Sequence, residues 1–208
     1  MRRLLIGLAI LVAFGAAVDW FVKQEAESRI ATEVAAAYDI NKRPDVSIDG
    51  FPFILNAVRG RFPAVMVSVD SLQKEGMRLD DFEARLEDLR FEPSAVISGK
   101  GQIEARRGSG TVMATLATVN QLIAESTPAP FELVAEGNSV VATQDGRRLS
   151  TTVEIVDGVL VVSPEGLASV SLDLPQIASG VTFRGVDTTG AGLLLRFSLD
   201  DAALQIAG

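Results

Sequence analysis

The fold is decided by the segment VSIDGFPFIL, residues 46–55. Val46 and Ile48 alternate with polar residues, as is typical of a half-buried strand, and Gly50 ends the alternation. An aromatic–proline run follows at residues 51–53, and Phe62-Pro63 comes shortly after it. Such a run is too dense in aromatic residues for an ordinary turn. Two interpretations are open: the run is a plug of the core, or it forms the mouth or wall of an apolar pocket.

Apolar residues recur at every second position after this segment, and this spacing predicts strands. They are Val65, Val67 and Val69 in one strand and Phe82, Ala84 and Leu86 in the next. Leu89 and Phe91 keep the two-residue spacing on the opposite parity, which predicts a β-bulge near Glu87-Asp88. Residues 102–115 form a further predicted strand.

A short helix and several hairpins are predicted for the rest of the chain. Thr118 and Gln121 have the spacing of a capping box and predict a helix that ends near Glu125. Turn dipeptides then separate successive predicted strands. They lie at Gly137-Asn138, Asp145-Gly146 and Asp157-Gly158, and the strands are predicted at 131–135, 139–143, 148–156, 159–162, 181–184 and 192–199.

The N-terminus has the layout of an export signal. Met1-Arg2-Arg3 is basic, and residues 4–18 are uncharged and mostly apolar. Small residues at 15–17 would suit cleavage, and the uncharged run is shorter than the roughly 20 residues that a membrane span needs. Apolar residues continue at 20–22, however, interrupted only by Asp19. A removed signal peptide and a retained membrane anchor therefore both remain open, and we expect an exported protein.

The chain is predicted to divide into a leader at residues 1–22 and one domain at residues 23–208. The domain begins with an amphipathic helix, because apolar residues recur at every fourth position from Val22 to Tyr38. This helix joins the leader directly. Its apolar stripe is expected to pack on its own domain, with a membrane surface or a partner as the alternatives.

Composition excludes several classes of function. The 208 residues carry 19 Lys and Arg against 27 Asp and Glu, so the net charge is −8. This balance argues against nucleic acid as a partner, because affinity for nucleic acid comes largely from basic side chains that neutralise phosphates. The chain has no cysteine and no histidine. It therefore lacks disulfides, cysteine-based metal sites and the commonest general base.

Carboxylates are the main candidate groups for catalysis, since the lysines of a formally possible Ser–Lys dyad lie in contexts that predict solvated side chains. A glycosidase or a calcium site could use Asp80, Asp81, Glu83, Glu87, Asp88 and Glu92. They alternate with apolar residues, so the preferred interpretation is the solvated face of a strand. We therefore expect no enzyme activity, no metal and no cofactor.

The segment at 46–55, together with Gly60-x-Phe62 and the strand at 65–69, resembles the opening of the actinobacterial LmeA family of phospholipid-binding proteins. The resemblance extends more loosely over most of the chain beyond the leader. It implies an α+β fold like that of tubular lipid-binding (TULIP-like) domains, with strongly curved antiparallel sheets, a long N-terminal helix and a short second helix. It also implies an exported cell-envelope protein that binds phospholipid, with phosphatidylinositol-type lipids as candidates, and a part in lipoglycan (lipomannan-type) assembly or envelope maintenance.

Site residues are predicted from the chemistry of the motif region. An acidic protein has no general positive field for anionic lipid, so it would have to bury acyl chains, and cations near the aromatic run would hold the phosphate. The predicted acyl pocket consists of Phe51, Pro52, Phe53, Leu55, Phe62, Val65, Val67, Phe82 and Leu86. The predicted headgroup cations are Lys42, Arg43, Arg59 and Arg61, with four ordinary surface cations as the alternative.

The leading hypothesis is thus a non-catalytic phospholipid carrier or sensor that reaches the membrane through its N-terminal segment. One alternative is a structural or protein-interaction module of the envelope with a solid core and no ligand. The other is an enzyme of lipoglycan assembly that uses carboxylates. The sequence does not identify a protein partner.

Overall fold

The computed structural model describes residues 2–37, 40, 42–74, 77–94, 102–177 and 180–205. The helices are α1 (Arg2–Ala37), α2 (Phe53–Val58) and α3 (Leu116–Ser126). The strands are β1 (Asp45–Ile48), β2 (Arg61–Lys74), β3 (Met77–Phe91), β4 (Gln102–Thr115), β5 (Glu132–Glu136), β6 (Ser139–Gln144), β7 (Arg147–Val156), β8 (Val159–Pro164), β9 (Val170–Leu172), β10 (Val181–Thr188) and β11 (Gly192–Gln205).

The strands form two antiparallel sheets. The larger sheet has six strands in the order β1-β2-β3-β4-β11-β10, and the smaller one has five in the order β5-β6-β7-β8-β9. In the smaller sheet, the turns Asp145-Gly146 and Asp157-Gly158 have positive φ at both central residues. That backbone matches the twist of two-residue hairpins, which is why these dipeptides predicted the turns correctly.

Two rows of backbone bends curve the larger sheet. Asp88 has φ 50° and Asp201 has φ 46°, and these residues lie in β3 and β11 on either side of β4. A β-bulge was predicted near Glu87-Asp88, and this prediction is wrong. β2 and β3 keep one register across this row, so no residue is inserted. The left-handed backbone of Asp88 itself reverses the alternation of faces. A second bend lies at Asp81 (φ 49°), and there the register between β3 and β4 does shift.

Two apolar clusters fill the protein. The first cluster joins both sheets and α3, and its fully buried side chains include Leu79, Val112, Ile123, Leu160 and Leu195. The second cluster lies under α1 and α2. Its buried members are Ala31, Val46, Ile48, Phe53, Phe62, Val65, Leu89, Ala105 and Leu199.

The α+β prediction, with antiparallel sheets, a long N-terminal helix and a short helix after β4, is confirmed. The short helix begins earlier than predicted, because Thr115 and not Thr118 is the N-cap: the Thr115 hydroxyl accepts a hydrogen bond from the Thr118 N–H. The strand β9 and the helix α2 were not predicted. The long helix is continuous from Arg2 to Ala37, across the predicted boundary at residue 22, while Tyr38 lies outside the described residues.

Candidate functional site

The helix α2 is held in place by a side chain from α1. Its N-cap is Pro52, which provides no side-chain cap. The carboxylate of Asp19 takes this role from a distance, accepting hydrogen bonds of 2.8 Å from the N–H groups of both Phe53 and Ile54. Asp19 is only 6% exposed. The one charge that interrupts the apolar run of the N-terminus therefore joins α1 to α2.

The aromatic–proline run divides between the core and the surface. Phe53 turns inward, and its ring stacks on Phe62 with 5.1 Å between centroids, while Phe62 stacks on Phe91 at 5.6 Å. Phe51 points outward and is 77% exposed. Both interpretations of this run thus apply, each to different residues: Phe53 is a core plug, and Phe51 belongs to an apolar wall.

An open apolar groove of about 470 Å³ lies between the two helices. This volume is within the usual range for ligand sites. The groove has almost no polar surface, since Asp19 is engaged by α2. We call it the α1–α2 groove, and its lining residues are Val12, Gly15, Ala16, Asp19, Phe51, Pro52, Ile54, Leu55 and Val58. Three predicted acyl-pocket residues, Phe51, Pro52 and Leu55, therefore lie together here.

A second apolar surface lies on the larger sheet, between its two rows of bends. Three further predicted residues, Val67, Phe82 and Leu86, are half-buried on this face. Together with Ala84 and Val181 they form what we call the apolar trough. Val67 and Val181 pack against both apolar clusters, so the trough connects the two.

Small residues shape the floor of the apolar trough. Gly110 pairs with Ala84 on one side and with Phe197 on the other. The Phe197 ring covers Gly110 and stacks on Phe82 with 5.6 Å between centroids. A side chain at position 110 would therefore displace this ring. The remaining predicted pocket residues, Phe53, Phe62 and Val65, are buried in the second cluster, between the trough and α2.

The predicted headgroup cations fall into two pairs. Lys42 contacts Asp70, and the Arg43 guanidinium donates to the Ser28 carbonyl at 2.7 Å, so both already have partners in the protein. Arg59 and Arg61 directly follow α2, are exposed, and have no salt-bridge partner among the described residues. Arg59 and Arg61 therefore lie close in sequence to Val58 of the α1–α2 groove and have no ion-pair partner in the described part of the chain, whereas Lys42 and Arg43 are engaged.

Several carboxylates of β3 are engaged in ion pairs. Asp80 pairs with Arg78, Glu87 with Arg85, and Asp88 with Arg90. Among the residues that the structure describes, no three acidic side chains converge as a metal site would require.

Comparison with known proteins decides the family. A family model described as LmeA-like phospholipid-binding matches residues 17–198. The chain belongs to the LmeA-like phospholipid-binding family. No curated protein and no solved structure matches the chain significantly. The predicted family is thus confirmed, and it places the chain in a class of phospholipid-binding proteins.

The match to the LmeA-like family includes Asp19 and the whole of α2. Sequence reasoning missed Asp19, Ile54 and Val58 as parts of the site. The four-residue spacing of Ile54 and Val58 was an available signal for a helix, but the run spans too few turns to be distinguished from a loop. Within the described residues, no helix has the combined length and apolar character needed to cross a membrane.

Proposed function

We propose that this member of the LmeA-like family is a non-catalytic phospholipid-binding protein of the cell envelope, exported by its N-terminal segment, whose apolar trough binds acyl chains. The family match supports phospholipid as the ligand. The trough is proposed as the binding surface because its apolar side chains are only half-buried and lie between two filled clusters. We further propose that the ligands are phosphatidylinositol-type lipids and that the protein has a part in lipoglycan assembly.

The trough can contribute enough free energy to retain a lipid. Each methylene removed from water contributes about 0.8 kcal/mol. The summed contribution of a long acyl chain packed on this surface therefore exceeds the free-energy cost of binding. Its apolar side chains are partly exposed, so an acyl chain can contact them without unfolding of the domain. The residues of the trough carry no charge, so specificity for the headgroup comes from another part of the protein.

Polar substitutions in the trough test this acyl site. We expect Val67→Thr with Leu86→Gln to reduce the fraction of protein that carries phospholipid in native mass spectrometry by about tenfold, because roughly 1–2 kcal/mol of apolar contact is lost. The matched control is Val153→Thr with Leu149→Gln, since these residues are also half-buried against the first cluster but lie in the smaller sheet. Equal lipid retention in the two double variants would contradict the trough as the site. Lipid-free wild-type protein would favour the structural module instead.

Arg59 and Arg61 are proposed to contact phosphates of anionic phospholipids. Each basic side chain near an anionic surface contributes about 1 kcal/mol, so replacing both with glutamine is expected to lower the ratio of anionic to neutral vesicle binding roughly thirtyfold. Taking the ratio cancels the apolar contribution of the N-terminus. Arg147→Gln with Arg148→Gln makes the same change of net charge in the smaller sheet and serves as control. An equal decrease in both variants would assign the effect to overall charge.

A further inference from the structure

Exposed large apolar side chains concentrate at one end of the molecule. Most of those in the described residues come from α1 and from the segment of α2, and single examples elsewhere are Met66, Val134 and Val156. We call this end the apolar tip. Its members are Leu11, Val12, Phe14, Val18, Trp20, Phe21, Val22, Phe51, Ile54, Leu55 and Val58. Contiguous exposed apolar surface of this kind marks an interaction site.

The tip contains a second apolar element besides the N-terminal helix. Phe51 is 77% exposed and Val58 is 70% exposed, and no residue from Phe51 to Val58 is charged. The face of a helix that points away from a core is ordinarily polar. In α2, Phe53 is buried and Ala57 packs against the second cluster, yet the opposite face is still apolar. The outward face of α2 is therefore not explained by folding of the domain.

The order of apolar, aromatic and charged residues along the apolar tip is typical of a protein segment at a membrane interface. The sequence of α1 has no charged residue from Leu4 to Val18; the buried Asp19 follows, and Lys23 comes soon after Trp20 and Phe21. Trp and other aromatic residues prefer the level of lipid headgroups. Arg59 and Arg61 follow Val58 at the C-terminal end of α2, while Asp19 holds its N-terminal end. Cations therefore adjoin the apolar tip in a protein whose net charge is −8.

We propose that the apolar tip is a membrane-docking surface, with α2 inserting beside α1 into the headgroup region of an anionic phospholipid bilayer. Asp19 fixes the two helices together, so they enter the lipid as one unit. Asp19 is the only polar residue among the described residues that line the groove, and backbone N–H groups already satisfy its carboxylate. This lining fits contact with lipid, which is non-directional. Docking would serve the proposed function, on which it rests, because a docked protein has its lipid source within reach.

Docking through α2 can be distinguished by experiment from simple tethering, in which the N-terminal helix alone contacts the membrane. Because the chain has no cysteine, a single introduced cysteine can be labelled selectively with an environment-sensitive fluorophore. Val58→Cys places the label on α2, and Val156→Cys places it on an exposed valine of the smaller sheet. The full chain is reconstituted into vesicles of phosphatidylcholine with phosphatidylglycerol, and quenching by aqueous iodide is compared with quenching by lipid that carries a shallow nitroxide.

We expect the label at position 58 to be quenched several-fold less by iodide than the label at 156, and to be quenched by the nitroxide lipid. Adding Asp19→Ala should abolish this protection at position 58 while Trp20 fluorescence still reports lipid around α1. Equal iodide quenching at 58 and 156 would overturn docking by α2. Protection at 58 that depends on protein concentration and not on lipid would also overturn it and would indicate a second copy of the chain.

Failure of docking can be distinguished from failure of the proposed function. The Val58→Cys protein is also examined by native mass spectrometry for phospholipid retained in the apolar trough. Retained lipid with an unprotected label would contradict docking alone. A protected label without retained lipid would contradict the acyl site and leave the docking surface supported.

Discussion

Replacing Asp19 with alanine is expected to destabilise the protein by about 2–3 kcal/mol, because the N–H groups of Phe53 and Ile54 lose a buried, charged acceptor. The loss should also be local. Hydrogen exchange at these two amides should accelerate more than exchange in the larger sheet, since α2 is released from α1. Urea denaturation of the full chain gives the total change, and amide exchange gives its location.

The control for Asp19→Ala is Asp173→Ala, which removes an exposed carboxylate. Its effect should stay within about 0.5 kcal/mol. Asp19→Asn keeps one carbonyl oxygen and should show an intermediate loss. If Asp19→Ala and Asp173→Ala have the same stability and the same exchange at Phe53, Asp19 does not hold α2.

Gly110→Ala is expected to destabilise the larger sheet strongly. A Cβ at this position would lie 2.2 Å from the Glu83 carbonyl oxygen and 2.3 Å from Cζ of Phe197. The first is a backbone atom of β3, so the clash is relieved only by moving one strand away from the other. We expect a loss of about 3 kcal/mol or more, or failure to fold, measured by urea denaturation.

Gly108→Ala provides the matched control in the same strand. There the nearest atom to an added Cβ is Leu86 Cδ2 at 3.0 Å, the end of a side chain that can rotate away. Its cost should be clearly smaller than that of Gly110→Ala. Similar losses at the two positions would show that loss of glycine from β4, and not the contact with Glu83, determines the effect.

Much of the fold could be predicted because its strands and turns depend on local chemistry. Two-residue alternation and Asp-Gly dipeptides specify strands and tight hairpins without help from distant residues. The bends at Asp81 and Asp88 were harder to predict, since a left-handed aspartate and an inserted residue change the apolar spacing in similar ways. Only the pairing with neighbouring strands distinguishes the two.

The candidate site was predicted in part, for a physical reason. Phe51, Phe53 and Phe62 each lie next to a proline in the sequence. Phe51 nevertheless faces outward, while the other two are stacked in the core. Their directions depend on α2, and α2 depends on a carboxylate 34 residues earlier in the chain. No local pattern encodes that contact. The division of the cations into engaged and free pairs likewise depends on Asp70 and Ser28, which sequence spacing does not associate with them.

The attachment of α1 to the domain has a mechanical consequence. Asp19 holds α2, Glu27 accepts a hydrogen bond from the Ile48 N–H at 2.7 Å, and Ala31 is buried in the second cluster. These anchor points span about 18 Å of helix. A helix attached to the domain at three points along its length cannot pivot about any one of them. The helix from Asp19 to Ala31 therefore keeps one orientation relative to the larger sheet, so a surface that binds this part of the helix also sets the orientation of the apolar trough.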